Sequence, residues 1–356
     1  MRIKASAPGK LVLCGEYAVL EGAPALVLAV DARARVLLED ANDGAFHIAA
    51  PDVGVPDARF DFDPRGGVRW FEVDEARSER LSLVARVIEV FGARQTPFRA
   101  SLDTAGFSLG GEKLGLGSSA ALTVALAGAL RVRARRGPPE IDELMALHRD
   151  WQGGGSGLDV AASFSGGLSI YRSRDGRPSV ERAQWPASLY WCCVWSGKAA
   201  STGTQLRRLS GWRARAPGHY AENMQRLAQC AEKAAAMART DDTTGLLRAI
   251  ADYAKSLREF DDAAGLDIFS GAHRALAGLA ERHGALYKPC GAGGDIGIAL
   301  SSHPQPLSDF RRELGASGFR EIELGHFDRG LQVVREPVHS TGEAPDHAGR
   351  HVATAG

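Results

Sequence analysis

The sequence predicts an α+β fold, and three observations support this prediction. Hydrophobic runs separated by Gly- and Pro-marked turns fill the first third of the chain, which is typical of strands. Hydrophobic residues then recur at spacings of three or four, which indicates helices, before short strand-like runs return near the end. The opening strands are expected over 3–7, 11–14, 25–30, 32–39 and 46–50.

Four helices are expected in the rest of the chain, because apolar residues there share one helical face. Two of them cover 81–91 and 120–132. The other two are indicated by Tyr220, Met224, Leu227 and Ala231, and by Ile268, Ala272, Leu276 and Leu279.

The later strands are expected to be short. Residues 51–67 are dense in Asp, Pro and Gly and are expected to form a mobile surface insertion. The remaining strands are a pair near 168–172 and 189–195, and closing strands over 297–300, 320–324 and 331–334.

The length and composition predict a two-domain protein. The chain has 356 residues and is 44% hydrophobic, so it can bury a sizeable core. We expect domains over 1–178 and 179–336, with the boundary between Tyr171 and Trp185. Residues 337–356 lack periodicity and are expected to be a disordered tail.

Charge and cysteine content narrow the class of protein. The 43 basic and 43 acidic residues balance, so composition does not favour general binding to nucleic acid or an anionic membrane. The five cysteines are odd in number and form no Cys-x-x-Cys pair, which argues against a disulfide framework or a zinc site. We see no signal peptide or membrane-spanning run, and expect a cytoplasmic monomer or homodimer that acts on a small molecule.

A glycine- and serine-rich segment, 114–119, precedes the helix expected over 120–132. Glycine lets the backbone approach an anion, and helix-start N–H groups carry partial positive charge, so this segment can cradle a phosphate. Ser118 and Ser119 would add hydroxyl donors or a magnesium ligand. Taken alone, the segment also fits an ordinary helix cap.

Three further segments carry residues suited to anion chemistry. Lys10 follows Pro8-Gly9 at an expected strand start and could sit over a phosphate, although a lone strand lysine is usually solvated. Asp159 follows a second Gly/Ser-rich run, 153–157, where an acidic residue also suits a helix start. A third glycine-rich turn, 290–295, leads into an apolar strand. Together these segments are hard to explain as turns alone.

The motifs resemble those of the GHMP kinase superfamily, and within it those of the phosphomevalonate kinases most. The string Ser-Gly-Leu-Asp-Val-Ala-Ala, 156–162, is the most discriminating of them. The resemblance spans roughly residues 4–335 and rests on 8–10 with 15–20, 113–121, 155–162 and 291–300.

The resemblance implies a GHMP kinase two-domain fold. Its N-terminal domain would be like the second domain of ribosomal protein S5, and its C-terminal domain would be ferredoxin-like. It also implies ATP and Mg²⁺ as co-substrates, which would meet the acceptor in the cleft between the domains.

The resemblance also assigns roles to individual residues. Lys10 and Asp159 would be catalytic, and Ser119 would contact the metal. The ATP phosphates would lie against Gly115, Leu116, Gly117, Ser118, Ser119 and Ala120. The acceptor would be bound by Tyr17, Ser156, Gly157, Lys198, Ser201, Gly291, Ala292 and Gly293.

The implied reaction is ATP-dependent phosphorylation of phosphomevalonate to diphosphomevalonate, in the mevalonate route to isoprenoids. Two alternatives stay open: a mevalonate or sugar kinase that phosphorylates a hydroxyl, and a non-catalytic binding protein on the same scaffold. For adenine, the sequence offers only Trp70 and its neighbours as weak candidates.

Two features depart from the family pattern. The turn Gly293-Gly294-Asp295 is one glycine shorter than is common. Mevalonate kinases also have a magnesium-binding glutamate about a dozen residues before the aspartate, where spacing places His148.

Overall fold

The computed structural model describes residues 1–94, 96–174, 177–197, 202–293 and 295–336. The strands are β1 (Arg2–Cys14), β2 (Ala25–Asp40), β3 (Phe46–Ala50), β4 (Val55–Phe62), β5 (Val68–Phe71), β6 (Phe98–Asp103), β7 (Ser108–Leu109), β8 (Glu112–Lys113), β9 (Leu168–Arg174), β10 (Arg177–Ala183), β11 (Tyr190–Trp195), β12 (Leu286–Pro289), β13 (Ile296–Ser301), β14 (Arg320–Ile322) and β15 (Gln332–Glu336). The helices are α1 (Glu75–Arg80), α2 (Ser82–Phe91), α3 (Ser118–Arg133), α4 (Ile141–Gln152), α5 (Leu158–Ser165), α6 (Thr202–Arg215), α7 (Pro217–Met237), α8 (Thr243–Ala264), α9 (Gly271–Arg282) and α10 (Pro304–Ala316).

The larger sheet is built around β1 and β2, which pair antiparallel over most of their length. Its strand order is β10-β9-β2-β6-β3-β4-β5, and β1 joins it through β2 and also pairs with β15. The runs expected over 3–7 and 11–14 form one strand, because a register shift between Pro8 and Gly9 lets β1 continue through the Pro-Gly pair. The runs over 25–30 and 32–39 likewise form one strand, β2.

The register shift also changes which face of the sheet each β1 side chain occupies. Ile3 and Ala5 pack into a core with α2, α3 and α4. Beyond the shift, Leu11 and Leu13 pack into a second core with α7 and α8 on the opposite face. Strand side chains normally alternate between faces, so the reversal marks the irregular pairing at the shift, where the register passes from Pro8–Arg33 to Gly9–Val30 and skips residues 31 and 32 of β2. The larger sheet is therefore covered on both faces.

The smaller sheet is antiparallel, with the order β12-β13-β11-β14. One core beside it contains Leu276 of α9 and Phe310 of α10 together with Val194 of β11. With α6 to α9 between β11 and β12, and α10 between β13 and β14, the chain follows the βαββαβ order of ferredoxin-like units. The predicted α+β class is confirmed.

Three local expectations are wrong. The segment 51–67 contains β4, because Val55, Ala58 and Phe60 are buried in the core beside Phe46. The strands expected as a pair near 168–172 and 189–195 lie in different sheets: β9 pairs with β2 and β10, and β11 pairs with β13 and β14. Ile268 is buried, but it precedes α9.

The larger sheet contains residues from both ends of the described chain. It includes β10, which crosses the boundary expected at 178/179, and β15 near the end of the described residues. The division into 1–178 and 179–336 stays a proposal, as does the tail over 337–356, which lies outside the described residues. Among the described helices, none combines the length and apolar character needed to cross a bilayer.

Candidate active site

Lys10 lies inside β1, and not at a strand start as expected. Its backbone N–H donates to Leu116 O at 2.9 Å, which holds β1 beside the segment before α3. Its Nζ lies 3.5 Å from Asp159 Oδ1 and donates to Gly115 O at 3.4 Å. The side chain is only 9% exposed, so Lys10 is not a solvated strand lysine.

The start of α3 has the backbone geometry of an anion cradle. Gly117, the residue before the helix, has a φ of 81° and no side-chain cap bond. Gly115 also has a positive φ, 70°, and a Cβ there would collide with the Asp295 carboxylate. Glycine is therefore needed at both positions, and the ordinary side-chain cap is not formed there.

Ser119 in the first turn of α3 is held by a side chain from α4. The Nε2 of His148 lies 3.0 Å from Ser119 Oγ. Burial lowers the pKa of His148, and the negative charge of Asp159 opposes this shift. The spacing that pointed to His148 thus identifies a residue beside the cradle.

The second Gly/Ser-rich run leads into α5 and places Asp159 in its first turn. Two carbonyls of the run are fixed by side chains: Tyr171 OH donates to Ser156 O at 2.5 Å, and Arg149 Nε donates to Gly155 O at 3.2 Å. No sequence pattern points to Tyr171 or Arg149, because each reaches the run through tertiary packing.

The third glycine-rich turn approaches from the smaller sheet. Tyr17 OH donates to Ala292 O at 2.8 Å, which joins this turn to the segment after β1. A Cβ at Gly291 would lie 3.6 Å from Lys10 Nζ, whereas Gly293 lies against Ile268. The turn therefore brings Gly291 and Ala292 close to Lys10 and Tyr17.

A buried ion pair lies beneath this turn. Lys288 Nζ is 2.5 Å from Glu16 Oε1 and donates to Pro289 O at 2.6 Å. Both side chains are almost wholly inaccessible to solvent, and Glu16 Oε2 has no hydrogen-bond partner among the described residues. Burial raises the pKa of Glu16, although the positive charge of Lys288 opposes this shift. Burial alone would lower the pKa of Lys288, but the interaction with Glu16 and the nearby cysteines outweighs burial, so the pKa of Lys288 is raised.

Two cavities lie on either side of the contact between His148 and Ser119. The central cavity is lined by Lys10, Glu16, Tyr17, His148, Arg149, Gln152, Ser156, Gly157, Asp159, Gly291 and Ala292 with neighbouring apolar residues. The outer cavity is lined by Asp52, Glu79, Arg80, Leu83, Phe107, Lys113, Ser118, Ser119, Leu122 and Trp151 among others. Trp70, the candidate for adenine, packs instead against Phe60 in the core.

Comparison with known proteins decides the family. A model of the GHMP kinases N terminal domain matches residues 83–167. The phosphomevalonate kinase of Streptomyces sp. (strain CL190) is 32% identical over 338 residues, which cover 83% of this chain and 88% of that protein. The chain is a GHMP kinase.

Two further comparisons describe the relatives of this kinase. The mevalonate kinase of Thermococcus onnurineus (strain NA1) is 35% identical over 175 residues, which cover 48% of this chain and 52% of that protein. The Streptococcus pneumoniae phosphomevalonate kinase, solved with phosphomevalonate and AMPPNP, has the same fold. Its TM-score is 0.71 at 20% identity, with 92% of this chain and 99% of that chain covered. The kinase is accordingly a phosphotransferase.

Most of the predicted site residues of the kinase converge around the two cavities. Leu116 and Ala120 are buried in the cradle, whereas Gly115, Gly117, Ser118 and Ser119 are half-buried. Lys198 and Ser201 lie outside the described residues. In the described part of the chain, no three His, Cys, Asp or Glu side chains come together to hold a metal ion by themselves.

Proposed function

We propose that the kinase transfers the γ-phosphoryl group of ATP to phosphomevalonate and forms diphosphomevalonate. The observation that carries this proposal is the position of Lys10. Its buried ammonium lies between Asp159 and the backbone of the α3 cradle, and it lines the central cavity. A cation at that point can stabilise charge on a phosphoryl group that passes between the two cavities.

The outer cavity suits the nucleotide. Ser118 and Ser119 line it beside the uncapped N–H groups of α3, which favour an anion such as the phosphates of ATP. Leu83, Phe107 and Leu122 supply apolar contacts, and Trp151 supplies an aromatic ring, for the base. ATP as donor is further supported by the AMPPNP in the Streptococcus pneumoniae structure.

The residues present fit a magnesium ion that arrives with the nucleotide. Magnesium in proteins keeps several waters and takes substrate phosphates with one or two protein oxygens, so a site without three acidic ligands is suitable. Ser119 Oγ and the Asp159 carboxylate are the oxygens that would hold it. When bound, the ion would neutralise charge on the phosphates.

The central cavity suits an acceptor that is already ionised. A phosphate monoester is mostly a dianion at neutral pH, since its second pKa is about 6, so it attacks without a general base. Asp159 is paired with Lys10, an arrangement that orients the ammonium. Besides contributing an oxygen to magnesium, Asp159 would position Lys10, and the reaction with this acceptor then depends on alignment and charge.

The choice of acceptor is supported by the extent of the likeness to each relative. The phosphomevalonate kinase matches over 88% of its length, and the mevalonate kinase matches over 52% of its length. The likeness to the phosphomevalonate kinase thus extends over more of this chain, 83% against 48%, and this supports phosphomevalonate as the acceptor. Phosphorylation of mevalonate or a hexose is the second candidate function, because mevalonate kinases are also similar in sequence and a galactokinase has the same fold.

The test is a parallel assay of ADP release with ATP and Mg²⁺, using phosphomevalonate, mevalonate and several hexoses as acceptors. We expect turnover with phosphomevalonate, and a kcat/KM at least about 100-fold lower with the others. A reaction without acceptor is the control for ATP hydrolysis. Turnover of mevalonate or a hexose alone would overturn the proposed acceptor, and no ATP turnover with any of them would favour a binding protein on this scaffold.

A further inference from the structure

Arg149 at the end of α4 is a cation that the proposed phosphoryl transfer does not use. It lines the central cavity, and it also lines a side cavity formed with Val19, Leu20, Ser173 and Arg174. Arg149 therefore lies where the central cavity opens into the side cavity. Lys10 lines the central cavity and does not line the side cavity.

The contacts of Arg149 leave part of its guanidinium available. Nε donates to Gly155 O at 3.2 Å, and Nη2 donates to Ser156 O at 3.4 Å. A guanidinium has five N–H donors, so these bonds use fewer than half of them. Within the described ranges of the chain, Nη1 makes no hydrogen bond and no carboxylate forms an ion pair with Arg149. The residue is half-buried, so water compensates its charge only partly.

The other charged groups at the central cavity already have partners. Lys10 pairs with Asp159, and Glu16 pairs with Lys288. The ring of His148 hydrogen-bonds to Ser119. Arg149 thus provides the net positive charge of the cavity wall. Its position is separate from that of Lys10, the cation proposed to face the transferred phosphoryl group.

We propose that Arg149 determines acceptor specificity by binding a second anionic group of the acceptor, which is the carboxylate in phosphomevalonate. The planar guanidinium can form two parallel hydrogen bonds with a carboxylate, a geometry that a lysine does not offer. The inference rests on the proposed function, since phosphomevalonate has two anionic groups: a phosphate at one end, for the side of Lys10, and a carboxylate at the other, for Arg149.

The test compares phosphomevalonate with its carboxyl methyl ester in wild type, Arg149→Met and Arg149→Lys. For Arg149→Met, kcat/KM with phosphomevalonate should fall about 10- to 100-fold, as expected for hydrogen bonds between charged groups. With the ester, which keeps its phosphate but has no carboxylate for Arg149 to bind, the change should stay below about 3-fold. The KM for ATP should not change, and Arg149→Lys should recover only part of the loss.

Arg86→Met is the matched control, because Arg86 contacts the neighbouring Asp150 on the surface and does not line the cavity. It should leave both acceptors unaffected. Equal losses for acid and ester in Arg149→Met would mean that Arg149 only braces the Gly155 and Ser156 carbonyls, and would overturn the inference. Wild type provides a test that does not depend on the folding of a variant. Its kcat/KM should be about 10- to 100-fold higher with the acid than with the ester. Equal values for acid and ester would overturn the inference.

The wild-type arm separates this inference from the proposed function. If wild type uses neither form of phosphomevalonate, the proposed acceptor is wrong. The same comparison, made with the acceptor that wild type does use and its uncharged analogue, then decides the role of Arg149, and use of a neutral acceptor alone would overturn that role. Equal losses for the two forms in Arg149→Met would overturn the proposed role of Arg149 with that acceptor as well. A loss confined to the anionic form would support this role.

Discussion

The imidazole of His148 hydrogen-bonds to the hydroxyl of Ser119, with 3.0 Å between Nε2 and Oγ. His148 lines the central cavity and Ser119 lines the outer cavity, so the contact lies between the two. Burial lowers the pKa of His148, and a neutral ring cannot supply the negative charge of the glutamate expected here from mevalonate kinases. Its effect on a metal must therefore act through the orientation of Ser119.

We predict that Ser119→Ala lowers kcat about 100-fold and weakens ATP binding less than about 5-fold. Loss of one oriented group that meets developing charge commonly costs this much in rate. The check is kcat at saturating Mg²⁺ together with the Kd of AMPPNP, with exposed Ser210→Ala on α6 as control. Unchanged kcat in a folded Ser119→Ala protein would remove Ser119 from the site.

Lys10→Met should lower kcat at least about 100-fold while the melting temperature changes by only a few degrees. Methionine can fill the space of the lysine stem, and Asp159 is 34% exposed, so water can solvate it once Lys10 is lost. Both quantities are measured beside Lys4→Met, which removes a lysine of the same strand whose side chain is 53% exposed. A large drop in melting temperature with normal activity of the folded fraction would make Lys10 a structural residue.

The pair of Glu16 and Lys288 should behave as a unit in unfolding experiments. Lys288→Met leaves a buried carboxylate without its partner and should reduce the free energy of unfolding by about 3–5 kcal/mol. The double variant Glu16→Gln/Lys288→Met removes both charges and should lose less than Lys288→Met alone. Urea unfolding of the two single variants and the double variant measures this coupling, and additive losses would show that the pair is not coupled.

Acid should destabilise the fold through His148. Because the folded-state pKa of His148 is lowered from 6.5, only the unfolded chain takes up a proton as the pH first falls below 6.5. The contribution of His148 to stability is thus intact above about pH 6.5, and up to about 1.4 kcal/mol of it is lost by pH 5.5. Urea unfolding at pH 7.5 and 5.5 should show this extra loss in wild type and not in His148→Gln. Equal pH dependence of the two proteins would contradict the assignment.

Local sequence patterns predict the parts of the site that are made by local structure. The cradle before α3 and the first turn of α5 depend on glycines beside helix starts, and these occur where they were expected. Lys10 was placed at a strand start because Pro8-Gly9 is typical of a turn. The register shift in β1 instead carries the strand through that pair.

Contacts between distant segments could not be predicted in this way. Lys288 sits in a short apolar strand, and its partner Glu16 is 272 residues away, so nothing in either local pattern indicates an ion pair. Arg149 ends an amphipathic helix, where a basic residue is ordinarily explained by the helix dipole. Pairing of β9 and β11 with other strands likewise depends on which sheet each joins, and strand propensity contains no such information.

The central claim is that the kinase phosphorylates a phosphate oxygen and not a hydroxyl. Phosphorus NMR of the purified product from ATP and phosphomevalonate tests it directly, because phosphomevalonate also carries a free hydroxyl. We predict two phosphorus doublets coupled to one another through a new P–O–P linkage, formed in step with ADP. Two uncoupled monoester signals would show transfer to the hydroxyl and would contradict it.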